Sequence, residues 1–299
     1  MSAEPVHLFL NPTAGRGRAG KRAPRIHEIL GRREFPVEMH LSNGVGDLED
    51  QVLQSVNRGA RRIAVAGGDG SVHEAANGIL RAAGDAALGV IPTGTGNDFA
   101  KAAGIPLDWE HATELLAERA AGNAPLRKID VGTMNGRYFV NGAGIGLDAR
   151  VTRIARSYRL PIGDLVYLLA IFRAMAEGIA TPTMRITTAA GMRKGPVTLA
   201  NIANGDWIGG MFNIVPTARN DDGEFDLLIV APVSRPRILR LLPMLMAGRH
   251  MGEKEIEHEL VTGVLVEAEE PVDCHLDGEM QPLQRRFDIS LLAGALHLF

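Results

Sequence analysis

Three times in the first hundred residues, a short apolar run ends abruptly in a cluster of glycines. Residues 6–10 precede Asn11-Pro-Thr-Ala-Gly-Arg-Gly-Arg-Ala-Gly20, residues 63–66 precede Gly67-Gly-Asp-Gly-Ser-Val-His-Glu74, and residues 88–91 precede Pro92-Thr-Gly-Thr-Gly-Asn-Asp-Phe99. Runs this short and this apolar suit strands buried on both faces, while glycine lets the chain turn sharply and approach a ligand closely. Helical spacing fills the gaps: residues 21–31, 47–57 (Leu48, Val52, Leu53, Val56) and 72–82, with a further strand at 37–41. This β-α alternation predicts a parallel sheet with helices on both faces, whose ligands bind beyond the carboxyl ends of the strands.

The pattern changes near residue 126. Strand-like pieces at 128–134, 138–141, 183–188, 197–203, 213–216, 225–231 and 260–267 follow one another, broken by helices around 147–156, 164–177 and 236–246. That predicts a mostly antiparallel β-sandwich domain. The expected division is a nucleotide-binding α/β domain at 1–128, joined by a returning segment at about 286–299, and a β-rich domain at 129–285. By its residues alone the apolar tail, 287–299, could be a strand in either.

With 299 residues, 45% hydrophobic and 22% charged, the chain is expected to build substantial cores. A net charge of −3 gives no drive toward nucleic acid, and a single cysteine, Cys274, excludes an intrachain disulfide and a thiolate zinc site. The N-terminal residues show no signal-peptide layout, and no stretch reaches the ~18 apolar residues of a spanning helix. The expectation is therefore a cytoplasmic protein whose membrane contact is peripheral.

Each glycine cluster has an ordinary and a chemical reading. Gly15, Gly17 and Gly20 spell G-x-G-x-x-G, but a dinucleotide site needs an acid closing the second strand; Glu38 stands near its start, and His40, Leu41 and Ser42 occupy its end. A phosphate-binding turn with two arginines fits better. Ser71 and Glu74 fit helix capping, which leaves unexplained an acid, Asp69, flanked by Gly67, Gly68 and Gly70. Thr93 and Thr95 offer hydroxyls, Gly94 backbone access, and Asn97 and Asp98 a cap for a following short helix; two such loops at neighbouring strand ends favour a nucleotide phosphate site. Near the C-terminus, Asp277-Gly278 signals a tight hairpin from which Glu279 projects as a candidate general base. Taken alone, that segment and 221–224 read as ordinary acidic turns.

In this order the segments resemble the diacylglycerol kinase catalytic-domain family, which includes bacterial lipid kinases and sphingosine kinases. The matching elements are Asn-Pro-x-x-Gly at 11–15, Gly-Gly-Asp-Gly-x-x-x-Glu at 67–74, Pro-x-Gly-Thr-Gly-Asn-Asp-Phe at 92–99 and Asp-Gly-Glu at 277–279. The resemblance implies an ATP-binding α/β domain of the NAD kinase and phosphofructokinase type, rejoined by the chain's tail, and a β-rich lipid domain. It places Asn11, Ser42, Gly67 to Glu74 and Thr95 at the nucleotide, Glu279 as proton acceptor, and Asp69 as an essential acid, either base or metal-linked. It also implies a structural Mg²⁺ at Asp222, with Arg219 and Glu224 contributing backbone carbonyls. Ser71 stands where Thr is usual, and Asp221 is an additional acid.

The expected function is ATP- and Mg²⁺-dependent phosphorylation of a lipid hydroxyl, diacylglycerol by default, at the membrane surface. Alternatives are an NAD kinase-like enzyme with a soluble acceptor, a silent nucleotide-binding regulator and, last, a Rossmann oxidoreductase. The helix at 235–246, with arginines among Ile238, Leu239, Leu241, Leu242, Met244 and Met246, suits either a membrane surface or a buried position. A homodimer stays open.

Overall fold

The computed structural model describes residues 4–33, 35–122, 125–158, 160 and 162–299, so the opening residues 1–3 lie outside it. The chain forms two compact units. One runs through Ile129 and takes in Gly294–Phe299; the other is Asp130–Ala293.

In the first unit, β1 (Val6–Leu10), β2 (Val37–Leu41), β3 (Arg62–Gly67) and β4 (Ala87–Pro92) pair in parallel in the order β2-β1-β3-β4. The end of the last strand, β16 (Glu279–Leu298), adds beside β4 through His297 and Leu298, also in parallel. Val6, Leu8, Leu10, Ala64 and Ala66 bury one face against Ile26 and Leu30 of α1 (Ala14–Gly31) and Leu116, Ala117 and Ala120 of α5 (Trp109–Ala121). The alternate residues Phe9, Ile63 and Val65 are equally buried, and α2 (Asp47–Asn57) and α3 (Asp69–Arg81) lie against β1 and β3. Burial on both faces is why these strands read as continuous apolar runs rather than alternating ones. A short α4 (Asp98–Ala102) completes the unit.

Helix α5 has no counterpart in the sequence-based expectation. Asp108 caps it, accepting the His111 backbone N–H at 2.9 Å, and Ala112, Leu116, Ala117 and Ala120 carry its buried face. The beginning of α1 also departs from a regular helix. Gly15, Arg16 and Gly17 all have left-handed backbones, so the glycine cluster is a turn and the helix proper comes after it.

In the second unit, β5 (Arg127–Met134) and β6 (Arg137–Phe139) form a hairpin, followed by β7 (Gly142–Gly146), α6 (Leu147–Ser157) and α7 (Leu165–Glu177). The hairpin of β8 (Thr183–Thr188) and β9 (Gly191–Pro196) comes next, then β10 (Leu199–Ala203), the small pair β11 (Trp207–Ile208) and β12 (Phe212–Asn213), and β13 (Phe225–Val230). Helix α8 (Arg235–Met246), β14 (Ile256–Val261), β15 (Gly263–Leu276) and β16 end the chain. The order β14-β13-β10-β7-β15-β16 is antiparallel throughout, with β8 and β9 branching from β15. Phe139, Phe225 and Phe287 anchor the core of this antiparallel β-sandwich. One expected strand, 260–267, is two, broken at Thr262, and the expected tail strand at 287–299 is the second half of a much longer one.

Candidate functional site

The parallel register of the first unit lines up the ends of its strands. Leu10 pairs with Leu41 and Ala66, Ala66 with Ile91, and Gly67 with Pro92. The segments leaving these strand ends therefore gather along one edge of the sheet. There the Ser42 backbone N–H donates to Leu10 O at 2.9 Å, Asn11 N–H to Ala66 O at 3.4 Å, and Thr93 N–H to Gly67 O at 2.9 Å. Asn11, Ser42, 67–74 and 93–97 thus meet in one place.

Glycine is needed here because the backbones nearly touch. A Cβ on Gly15 would lie 2.2 Å from Thr93 O, and one on Gly94 would lie 2.5 Å from the Gly68 Cα. A Cβ on Gly67 would collide with the Ser71 side chain at 2.3 Å. Arg18 bridges two of the segments, donating through Nε to Gly15 O at 2.9 Å and through Nη2 to Gly94 O at 3.4 Å.

Asp69 opens α3, and its carboxylate accepts the Phe99 backbone N–H at 3.0 Å, tying the second glycine cluster to the third. Asn11 accepts from Thr13 N–H at 3.0 Å and from the Thr13 hydroxyl at 2.7 Å. The Thr93 hydroxyl is buried with no hydrogen-bond partner among the described residues.

Three capping expectations are corrected. Gly68, not Ser71, stands at the N-cap of α3, no side chain caps that helix, and Glu74 lies inside it. Asn97 occupies the N-cap position of α4 in a left-handed conformation (φ 52°), but its Oδ1 accepts the Gly94 N–H at 3.1 Å instead of a helix N–H. The loop is braced against itself, which leaves the third glycine cluster rigid. Asp98 does not cap either; it is the first residue of α4 and pairs with Lys101 at 3.1 Å.

In the second unit, Asp277-Gly278 makes the tight hairpin turn between β15 and β16, with φ 51° and 81° and with Leu276 paired to Glu279. The Asp277 carboxylate sits in a nest of backbone donors, Val140, Asn141 and Gly142 N–H at 2.8–3.2 Å. Asp277 is thereby a structural anchor, and the residue it aims is Glu279. The Glu279 carboxylate meets Arg156 at 2.8 Å, and Arg156 also donates to Gly278 O at 2.9 Å.

Beside this turn lies a group that sequence reasoning missed. Asp148, at the start of α6, accepts from Asn201 Nδ2 at 3.1 Å and faces His275 Nε2 at 3.8 Å, while His275 Nδ1 accepts the Gly278 N–H at 3.2 Å. Burial raises the Asp148 carboxyl above the usual carboxylate range and holds the His275 imidazole below the usual histidine range. The pairing of 142–146 with 199–203 and of 143–145 with 274–276, with α6 following directly on β7, brings these three together, so no spacing in the sequence marks them.

Asp148 also lines a cavity of about 150 Å³ whose walls are otherwise almost entirely apolar, including Val151, Ile171, Leu228, Ile238, Leu242 and Leu245. Helices α6, α7 and α8 form much of the wall. Ile238 is the buried residue of α8, and Leu241, Leu242 and Leu245 line the cavity, while Leu239 and Met246 on the same helix are exposed. On α7, Leu165, Leu169 and Phe172 form an exposed apolar row at helical spacing. No helix among the described residues is long and apolar enough to cross a membrane.

The segment 219–224 is held by Asp130, whose carboxylate accepts the Gly223 N–H at 2.7 Å. Asp222 accepts the Glu224 N–H at 3.2 Å, and the additional acid Asp221 is turned to the Arg219 guanidinium at 3.3 Å.

The first unit thus presents a glycine-lined strand edge on a parallel sheet, and the second an apolar cavity in an antiparallel β-sandwich, an arrangement in keeping with a kinase that acts on lipids. The chain belongs to the diacylglycerol kinase family: residues 5–134 match the diacylglycerol kinase catalytic domain, and residues 142–299 match the YegS C-terminal NAD kinase beta sandwich-like domain. It is 33% identical to the "Probable lipid kinase YegS-like" of Pseudomonas aeruginosa (strain UCBPP-PA14), covering 85% of this chain and 81% of that one. It is 29% identical to a diacylglycerol kinase of Bacillus subtilis (strain 168), covering 92% and 89%. A solved structure of a diacylglycerol kinase from Bacillus anthracis str. Sterne shares the fold with a TM-score of 0.74 at 23% identity, over 99% of this chain and 96% of that one.

Proposed function

We propose that the chain transfers the γ-phosphate of ATP, with Mg²⁺, to a lipid hydroxyl, with diacylglycerol as the acceptor and phosphatidic acid as the product. The observation that carries this reading is the strand edge where Gly15, Gly67 and Gly94 leave no room for a Cβ and Thr93 keeps a buried hydroxyl without a hydrogen-bond partner among the described residues. Backbone packed this closely presents N–H groups and hydroxyls to an anion without side chains in the way. Asn11, Ser42, Gly67, Gly68, Gly70, Ser71, Glu74, Thr93, Gly94, Thr95 and Asn97 would hold the nucleotide, in the first unit's role as nucleotide-binding domain.

Mg²⁺, when bound, neutralises charge on the phosphates during an in-line transfer. Asp69 holds the second and third glycine clusters in one geometry, and its carboxylate would hold that ion or orient the acceptor hydroxyl. Glu279 takes the proton of the acceptor hydroxyl, and Arg156, paired with it, orients the carboxylate. A separate structural Mg²⁺ would sit at Asp222 with the carbonyls of Arg219 and Glu224; this all-oxygen donor set suits a hard cation.

The second unit supplies the lipid. Its cavity accepts apolar chain, and Asp148 gives that cavity a polar end where a hydroxyl-bearing head group would be hydrogen-bonded. The exposed apolar rows of α7 and α8 favour a protein that works from the cytoplasmic side at the membrane surface. Incubating the protein with labelled ATP, Mg²⁺ and mixed micelles of single candidate lipids tests the reading. Labelled phosphatidic acid supports it, whereas labelling only of a soluble acceptor such as NAD favours the other kinase.

A further inference from the structure

Away from the glycine clusters, the face of β1 and β2 that includes buried Phe9 also carries half-buried His7 and His40 and exposed Glu38. The strands pair His7 with Glu38 and Phe9 with His40, so three metal-ligating side chains share one face of the sheet's edge. Their ligand atoms lie within 4.8 Å of one another. His7 Nδ1 is 3.4 Å from His40 Nε2 and 3.3 Å from Glu38 Oε2.

Those distances decide between two accounts of the cluster. As a hydrogen bond, 3.4 Å is long, since good N–H donors sit about 2.7–3.2 Å from their acceptors. A proton on His7 Nδ1 would also be divided between two acceptors. Around a tetrahedral ion with bonds of about 2.0–2.1 Å, ligand atoms are about 3.3–3.4 Å apart. The His7–His40 and His7–Glu38 separations both match that edge.

We propose that His7, Glu38 and His40 hold a divalent transition-metal ion of the zinc class, which ties the edge strand β2 to β1. Two imidazoles and a carboxylate select such an ion over Mg²⁺, which prefers oxygen ligands in an octahedron. Stacking pre-positions the nitrogens: His40 lies over Phe9 with ring centroids 4.6 Å apart and over His7 at 5.6 Å, with the planes within 17°. A cavity of about 320 Å³ opens at the cluster, with Glu4, Ser55, Arg58 and Arg61 around it, and gives the ion an entry path and room for a water as fourth ligand. Glu38 is exposed, so its carboxylate can turn to complete the set without repacking.

The test is Co²⁺ titration of the chelator-treated full chain, read by visible absorption, together with the Zn²⁺-induced rise in melting temperature. Wild type should bind one Co²⁺ with the intense absorption of a tetrahedral site and melt higher in Zn²⁺. His7→Ala/His40→Ala should lose the absorption and the rise. Glu38→Gln, a change at an exposed side chain, should weaken binding at least tenfold with metal-free melting unchanged. Absence of the absorption in wild type, or its retention in the double variant, overturns the proposal. Neither result depends on turnover, so the kinase reading stands or falls separately.

Discussion

The Asp69 carboxylate accepts the backbone N–H of Phe99 at 3.0 Å, so the acid of the second glycine cluster fixes the loop of the third. Charge and positioning can be separated at this residue. Asp69→Asn keeps an acceptor for Phe99 and should cost little stability, yet lose turnover by about 10²–10⁴-fold if the charge is what the reaction needs. Asp69→Ala also strands the Phe99 N–H and should lose about 1–3 kcal/mol in urea unfolding. Equal stability in the two variants would remove Asp69 from its structural role.

Backbone contact at the strand edge predicts that Gly94→Ala will be severe, because the added Cβ would meet the Gly68 Cα at 2.5 Å. Nucleotide affinity should fall at least tenfold and stability by about 1–3 kcal/mol. Gly31→Ala, where nothing lies within 4 Å, is the control and should leave both unchanged or stability slightly raised. Equilibrium nucleotide binding and denaturant midpoints read the two effects.

Glu279→Gln should lower turnover by about 10²–10⁴-fold while nucleotide affinity changes little, since the residue is assigned to the acceptor proton and not to the phosphates. Turnover near wild type in that variant would take the proton elsewhere.

His250 is buried, donates from Nε2 to Ile214 O at 2.9 Å, and is held below the usual histidine range by desolvation. The unfolded chain therefore binds a proton that the native state refuses. This residue's stabilisation is fully present above about pH 6.5 and is lost as pH falls from there toward its lower native value, at up to about 1.4 kcal/mol per pH unit. His250→Gln keeps an N–H donor without the titration. Its stability should fall less steeply than that of wild type as the pH is lowered from about 7.5 to about 5.5, a window that brackets the free imidazole; parallel curves would contradict the assignment.

Leu239→Glu on α8 and Phe172→Glu on α7 replace exposed apolar residues and should leave folding within about 0.5 kcal/mol. Sedimentation with anionic liposomes should drop several-fold if these rows meet the membrane, and stay unchanged if they do not.

The sequence made the parallel half of the fold legible because buried strands and glycine turns are local signals. The hairpin at Asp277-Gly278 was legible for the same reason. Strand β9 was not: Gly191, Met192, Lys194 and Pro196 are exposed and none of its residues is buried, so no apolar alternation marks it, and Arg193 holds it through Glu257 and Glu259, distant in sequence. Ser71 and Asn97 match capping patterns, but the helix starts are set by Gly68 and by the Gly94–Asn97 brace, which depend on strands meeting. The same limit hid Asp148 with His275, and His7 with His40. Strand register brings His7 beside His40, and the pairing of β7 with β15 brings the start of α6 beside His275, neither of which periodicity within one segment carries.

The kinase reading is tested most directly by transfer of label from γ-labelled ATP, in Mg²⁺, to lipids in mixed micelles, with Asp69→Ala as the blank. A labelled phosphatidic acid made by wild type and absent with the variant is the expected result. Nucleotide binding without any labelled lipid, from diacylglycerol or any other long-chain alcohol, would contradict it.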